Sequence, residues 1–217
     1  MQEMITVTGM VISQIPIGDY DRRVCILTKE RGKISAFAKG ARRQNSRLMA
    51  STKPFSFGQF KLYQGKTSYN IMEANIDQYF ETLREDFVSA YYGMYFLEIA
   101  DYYTRENNDE LQMLKLLYQS MRALTHPSID NRLVRCIFEI KTVVVNGEFP
   151  GLPENKDWDE STRYTVSFIE SAGIEKLYSF KVSDKVLLEL SYIGNTLRER
   201  FFNKEYKSLE ILETLTN

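Results

Sequence analysis

The densest run of chemistry-bearing residues is Gly32-Lys33-Ile34-Ser35-Ala36-Phe37-Ala38-Lys39-Gly40-Ala41-Arg42-Arg43-Gln44-Asn45-Ser46-Arg47. From Arg31 to Met72 the chain carries nine Lys or Arg and no Asp or Glu. In a protein of net charge −1, so one-sided a block is the electrostatic footprint of a polyanion partner. Aromatics interleave with it, at Phe37, Phe55, Phe57, Phe60, Tyr63 and Tyr69. Single-strand binders combine a cationic groove for phosphates with aromatic faces on which bases stack, each stack contributing about 1–3 kcal/mol. Some of these aromatics must serve the core instead. The competing reading is an edge strand shielded by lysines and followed by a solvated loop. The length of the acid-free span and its aromatics weigh against that reading.

Within the block, Arg42 and Arg43, followed by Asn45, Ser46 and Arg47, offer phosphate donors on a mobile loop and nothing that reads base edges. Binding without sequence preference, steeply weakened by salt, is therefore expected. Arg22 and Arg23 either extend this surface or pair locally with Asp19 and Asp21. Lys61 and Lys66 extend it on the later strands.

Other chemistries find little support. One His (His126) and two Cys (Cys25, Cys136) leave no CxxC or HxxxH pair, so a zinc site of ordinary ligand spacing cannot be built. The cysteines sit among apolar neighbours and read as small hydrophobes, not as a disulfide. No G-x-S-x-G, P-loop or Gly-rich dinucleotide turn is present, so no enzymatic activity and no cofactor is expected. Nor does any apolar run approach the roughly 18–20 residues that cross a bilayer.

Charge divides the chain. Residues 1–80 hold 12 basic and 6 acidic groups, and 81–217 hold 16 and 23. The texture changes at the same point, which predicts an α+β protein with a β-domain over 1–80 and an all-α domain over 81–217. Strands are predicted at Ile5–Ile12, with a bulge or bend at Gly9, and at Val24–Thr28, Lys33–Lys39, Phe57–Tyr63 and Tyr69–Ile76. A loop is predicted at Pro16–Asp21, and a Gly-bearing hairpin turn at Gln64–Ser68. In the third strand Ile34, Ala36 and Ala38 share one face and Lys33, Ser35, Phe37 and Lys39 the other. Five short strands with a long connection after the third fit a five-stranded barrel of the OB type.

From Leu83 the apolar period becomes helical. One helix runs to about Tyr103; another starts at Asn107 or Asn108, with Glu110 as a capping-box partner, and stops before Pro127. A third runs from near Ser128 to Asn146-Gly147, where Gly suits a left-handed cap. Residues 165–172 read as a short helix, Ser183 as the N-cap of a helix reaching Phe202, and Ser208 as the cap of a last one. Arg132, Arg135 and Lys141 recur at roughly helical spacing; a solvated face and an acidic partner peptide are the two readings of them.

These residues also form a family pattern. Gly18-Asp19-Tyr20-Asp21-Arg22, then Leu27-Thr28 to Gly32-Lys33-Ile34-Ser35-Ala36 and Ala38-Lys39-Gly40-Ala41-Arg42-Arg43, resemble the recombination mediator and DNA repair family RecO. Gly58-Gln59-Phe60-Lys61-Leu62-Tyr63, Leu83-Arg84-Glu85-Asp86, Asn146-Gly147 with Pro150, and Leu177-Tyr178-Ser179-Phe180 continue the likeness in order. The resemblance implies an OB-fold followed by a helical domain, binding of single- and double-stranded DNA, and annealing of complementary strands. It also implies recombinase loading, together with RecR, onto DNA coated with single-stranded-DNA-binding protein, in the cytoplasm at the nucleoid. DNA contact is then expected from Arg22, Arg23, Lys33, Phe37, Lys39, Arg42, Arg43, Arg47, Lys61 and Lys66. Docking of the acidic, apolar tail of single-stranded-DNA-binding protein is expected at Arg132 and Arg135. Many members carry a four-cysteine zinc module after the Gly-x-x-Pro segment. This chain has no Cys between Asn146 and Phe180, so the module is expected to be absent, with a short loop over about 147–163 in its place. Two other readings remain open beside this one: an OB-fold protein-interaction adaptor, and an OB-type RNA binder.

Overall fold

A computed structural model describes every residue except 1, 2, 66, 67, 155, 203 and 217. Five strands, β1 (Met4–Ile17), β2 (Asp21–Thr28), β3 (Gly32–Ala38), β4 (Phe57–Gln64) and β5 (Tyr69–Gln78), close into a barrel in the order β1-β2-β3-β5-β4. Closure comes from β1, which pairs antiparallel with both β2 and β4, and from a short parallel contact between β3 and β5. The interior is filled by inward side chains of all five strands, among them Val7, Val11, Val24, Ile26, Ile34, Phe60, Leu62 and Ile71. This is the predicted OB-type barrel. The alternation in β3 falls as the sequence implies, with Ile34, Ala36 and Ala38 buried and Ser35 exposed.

Two features of β1 differ from expectation. The bulge lies between Val11 and Ser13, where the register against β2 shifts, and not at Gly9. Gly9 serves closure instead: it faces Thr28 on one side and Gly58 on the other, and a Cβ there would lie 2.3 Å from the Leu27 carbonyl. In addition, β1 continues through Pro16 to Ile17, so the predicted loop shrinks to Gly18–Tyr20. A proline is tolerated there because β4 pairs only with Met4–Met10, leaving the far end of β1 with β2 as its one neighbour in the sheet.

Eight α-helices lie among the described residues. They are α1 (Leu48–Ser51) in the β3–β4 connection, α2 (Glu81–Glu85), α3 (Phe87–Tyr103), α4 (Leu111–Leu124), α5 (Asn131–Val145), α6 (Glu160–Ser171), α7 (Asp184–Phe201) and α8 (Lys207–Thr216). The first long helix is broken at Asp86, whose carboxylate accepts from the Ser89 N–H at 2.9 Å and starts α3 afresh. α4 begins later than predicted, because Asn107 takes a left-handed φ of 62°. Glu110 accepts from the Arg105 N–H, and Asp109 from that of Leu111. α6 starts at Glu160, its Asp159 cap accepting from the Ser161 N–H at 2.9 Å, so it is longer than the 165–172 segment expected. Ser183 caps α7 as predicted, whereas Ser208 lies inside α8. Gly147 has the left-handed φ (72°) expected after α5.

The chain divides into two compact units. The first is 1–81 with 97–114, and the second is 82–96 with 115–217. The barrel's unit thus includes the end of α3 and the start of α4, which pure periodicity assigns to the helices alone. Three links build this: Lys33 N–H donates to the Arg105 carbonyl, Asn107 N–H to that of Arg31, and Gly32 forms a β-bridge with Glu106. In the second unit, Phe96 stacks on Phe138 with ring centroids 4.1 Å apart. Lys141 caps the end of α6 by donating to the carbonyls of Ile169, Glu170 and Ala172, each at 2.9 Å. Burial lowers the pKa of that ammonium.

Candidate nucleic-acid interface

Pleating places alternate residues of each strand on the outside of the barrel. One outward rung crosses all five strands: Ile15 of β1 is opposite Arg23 of β2, Arg23 opposite Phe37 of β3, Phe37 opposite Asn70 of β5, and Asn70 opposite Tyr63 of β4. Arg23 is exposed and Phe37 half-buried, so a cation and an aromatic ring stand side by side on the surface.

Beyond the end of β3 the chain enters the basic loop. It is not mobile in the way its composition suggests. Ala41 is fully buried in the barrel core, and Gly40 adopts a left-handed φ of 66°. The loop is also bound to the β1–β2 turn. The Gly40 N–H donates to Asp21 Oδ1 at 2.7 Å, the Arg42 N–H to the Tyr20 carbonyl at 2.8 Å, and Arg42 Nη1 to the Gly18 carbonyl at 3.0 Å. Arg43 lays its guanidinium over the Tyr20 ring, 5.0 Å from the centroid. Lys39, Arg42, Arg43 and Arg47 are all exposed. A buried alanine therefore holds the backbone while its neighbours present charge to solvent.

Among the other predicted contacts, two are engaged within the protein. Arg22 is turned inward: Nη1 donates to the Met49 carbonyl at 2.7 Å and to Thr52 Oγ1 at 2.8 Å, which ties β2 to α1. Burial, then the nearby Arg42, lowers its pKa. Lys33 is answered by Asp101 Oδ1 at 3.1 Å, within the same unit. Lys61 is exposed on β4 and stands opposite Glu73 of β5. Lys66 lies outside the described residues. Tyr20 is the member that sequence reasoning passes over. It is 53% exposed at the tip of the β1–β2 hairpin, and its place among Pro, Gly and Asp makes it look like an ordinary turn residue.

In the helical unit the two arginines separate. Arg135 donates through Nε to Glu139 Oε1 at 2.9 Å and retains only 17% side-chain exposure, while Tyr95 Oη donates to the same oxygen at 2.7 Å. Burial opposes the Arg135 charge, but Glu139 and Tyr95 outweigh it and raise its pKa. Arg132 remains 63% exposed and is gripped by Asp130 at 2.7 Å. Asp130 also caps α5 by accepting from the Arg132 N–H, and the hydrogen bond from the Arg132 side chain leads the causes that hold its pKa down. The pair borders a cleft of about 450 Å³ lined by Val88, Tyr92, Leu124, Ile129 and Asp86.

The residues present do not fit a zinc module. Cys25 and Cys136 belong to different units, and burial, the leading cause for both, pushes each thiol up to about 12, far from the thiolate that zinc requires. Among the described residues no group of three His, Cys, Asp or Glu is placed to hold a metal. Where the module would stand, Trp158 is buried, its Nε1 donates to the Pro153 carbonyl at 2.8 Å, and Lys156 Nζ lies 4.9 Å over its ring.

Together these features define an OB-fold barrel protein with a cationic, aromatic rim and a helical C-terminal part. Residues 1–80 match the family model for the recombination protein O N terminal, and 84–154 that for its C terminal. The DNA repair protein RecO of Acetivibrio thermocellus is 26% identical over 240 residues, spanning 96% of each chain. That of Halalkalibacterium halodurans is 30% identical over 194 residues, covering 85% of this chain and 76% of its own. That of Alkaliphilus metalliredigens is 32% identical over 149 residues, covering 69% and 61%. The chain belongs to the RecO family of DNA repair proteins. Its role lies in DNA repair and recombination. No helix among the described residues is long and apolar enough to cross a membrane.

Proposed function

We propose that this chain binds single- and double-stranded DNA on the barrel rim, anneals complementary strands, and with RecR helps load recombinase onto DNA coated with single-stranded-DNA-binding protein. The observation that carries the reading is the rim itself: Lys39, Arg42, Arg43 and Arg47 exposed on a pinned loop beside Arg23 and Phe37. The work is physical, not covalent. Cations spread over two strands offset the repulsion between their phosphates, so complementary bases can meet. Wild-type affinity for an oligo-dT strand, titrated against salt, is expected to fall along a steep straight line in log–log form. An annealing assay on complementary strands is expected to show acceleration over the same salt range. Salt-insensitive binding, or none, would remove the proposal, and stronger competition by an RNA strand than by its DNA counterpart would move it to the RNA-binding reading.

The acidic, apolar tail of single-stranded-DNA-binding protein is assigned to Arg132 and its cleft, and Arg135, committed to Glu139, is left out of the contact. Asp130 competes with the tail for Arg132. Asp130→Asn keeps a competent N-cap and is expected to tighten a tail peptide about fivefold, and Arg132→Ala to weaken it by about as much, the scale of one exposed ion pair. Calorimetric titration of the peptide checks both. Equal affinity in the two variants would place the tail elsewhere.

A further inference from the structure

The rim contains an aromatic group that is absent from the expected DNA contacts, although it stands in the family pattern. Tyr20 projects from the β1–β2 turn, 53% exposed, although most tyrosines of the chain are more covered. Its backbone is fixed on both sides: the carbonyl accepts from the Arg42 N–H, while the Gly18 carbonyl, two residues earlier, takes the Arg42 guanidinium and the Asp21 carboxylate takes the Gly40 N–H. The ring carries Arg43 at 5.0 Å. Two segments about twenty residues apart thus bring a wet aromatic face and two arginines to one point.

We infer that Tyr20 is a base-stacking platform that makes this rim favour single strands over duplex. The inference rests on the DNA-binding reading above and adds a specific residue to it. Three physical points support it. A base already paired in a duplex offers no free face to a ring, whereas an unpaired base does, so an exposed aromatic among phosphate-binding arginines rewards only the single strand. The platform is ordered before the strand arrives, which removes a cost that a swinging side chain would incur. A base lying on the ring also puts its own phosphate within the reach of Arg42 and Arg43, so stacking and charge act on one nucleotide. The plainer alternative is that Tyr20 and Arg43 merely bolt the hairpin to the loop, as an exposed cation–π pair.

Binding of an oligo-dT strand and of a duplex of equal length, measured across a salt series, separates the two. Tyr20→Ala is expected to weaken the oligo-dT complex about tenfold, with duplex affinity and the salt slope as in the wild type; Tyr20→Phe is expected to behave as wild type. Arg43→Ala should weaken both ligands and make both slopes shallower. A second measurement needs no variant: irradiating wild-type protein on a bromouridine-substituted strand should crosslink the peptide that contains Tyr20. If Tyr20→Ala binds oligo-dT normally, or loses strand and duplex alike, or if the crosslink maps away from the hairpin, the platform is overturned while DNA binding stands. A wild type that binds neither ligand overturns both readings together.

Discussion

Arg135→Ala is expected to destabilise the protein by about 3–5 kcal/mol, the scale for removing one partner of a buried ion pair. The reason lies in what remains. Glu139 is 1% exposed, and once Arg135 is gone its carboxylate is left to the Tyr95 hydroxyl, a neutral donor that cannot balance its charge. Water cannot replace the guanidinium easily, because α7 approaches closely there: a Cβ on Gly194 would lie 2.4 Å from Glu139 Oε2. Tyr95 is itself buried, and burial followed by Glu139 raises its pKa, so it stays a neutral donor. For a chain of this size the loss corresponds to a fall in melting temperature of roughly 6–20 °C. Adding Glu139→Gln to Arg135→Ala is expected to recover more than half of it, since the orphaned charge disappears while an oxygen remains for Tyr95. Thermal unfolding followed by circular dichroism checks the pair. A single-variant loss below about 1 kcal/mol would mean that solvent already screens the contact.

Arg135 looks, in the sequence, like Arg132: both are basic and both follow the helical period. What separates them is Glu139, one helical turn on, and the arrival of Tyr95 and Gly194 from other helices. Periodicity says which face a residue occupies and is silent about what packs there. The same limit explains Lys33. Its outward orientation was legible from the alternation in β3, but the carboxylate that answers it, Asp101, is held in the barrel's unit by backbone links between 31–33 and 105–107 that leave no composition signal. By contrast, the barrel was legible, because inward residues recur with period two and glycines mark its turns and close approaches. So was the charge of the rim. The shape of the rim was not. Ala41 reads as an unremarkable small residue, yet its burial is what turns a basic loop into a fixed surface. Tyr20 was hidden by a proline that stays within β1 instead of ending it.

The rim and the strand should therefore part company under mutation. Arg42→Ala/Arg43→Ala is expected to cut single-strand affinity at low salt by about tenfold or more, and to make the slope of log affinity against log salt shallower by about 1.4, since each phosphate contact on a single strand contributes about 0.7. Both side chains are exposed, so folding should survive, although the Arg42 link to Gly18 and the Arg43 contact with Tyr20 are lost. Lys33→Ala removes one positive charge from the same acid-free span, yet its ammonium is engaged by Asp101. For that variant a loss of about 1 kcal/mol in stability is expected, with the salt slope unchanged within error. Lys61→Ala, opposite Glu73, should likewise leave the slope alone. The contrast discriminates between two pictures that total charge cannot separate. If the whole basic span binds DNA as a diffuse cationic surface, each removed charge should cost a similar amount and flatten the slope similarly. If a built rim does the binding, only the residues that the pinned loop presents should change it. Equal slopes for Lys33→Ala and the double arginine variant would return the protein to the diffuse picture, and would make the contacts between loop and hairpin a feature of folding alone.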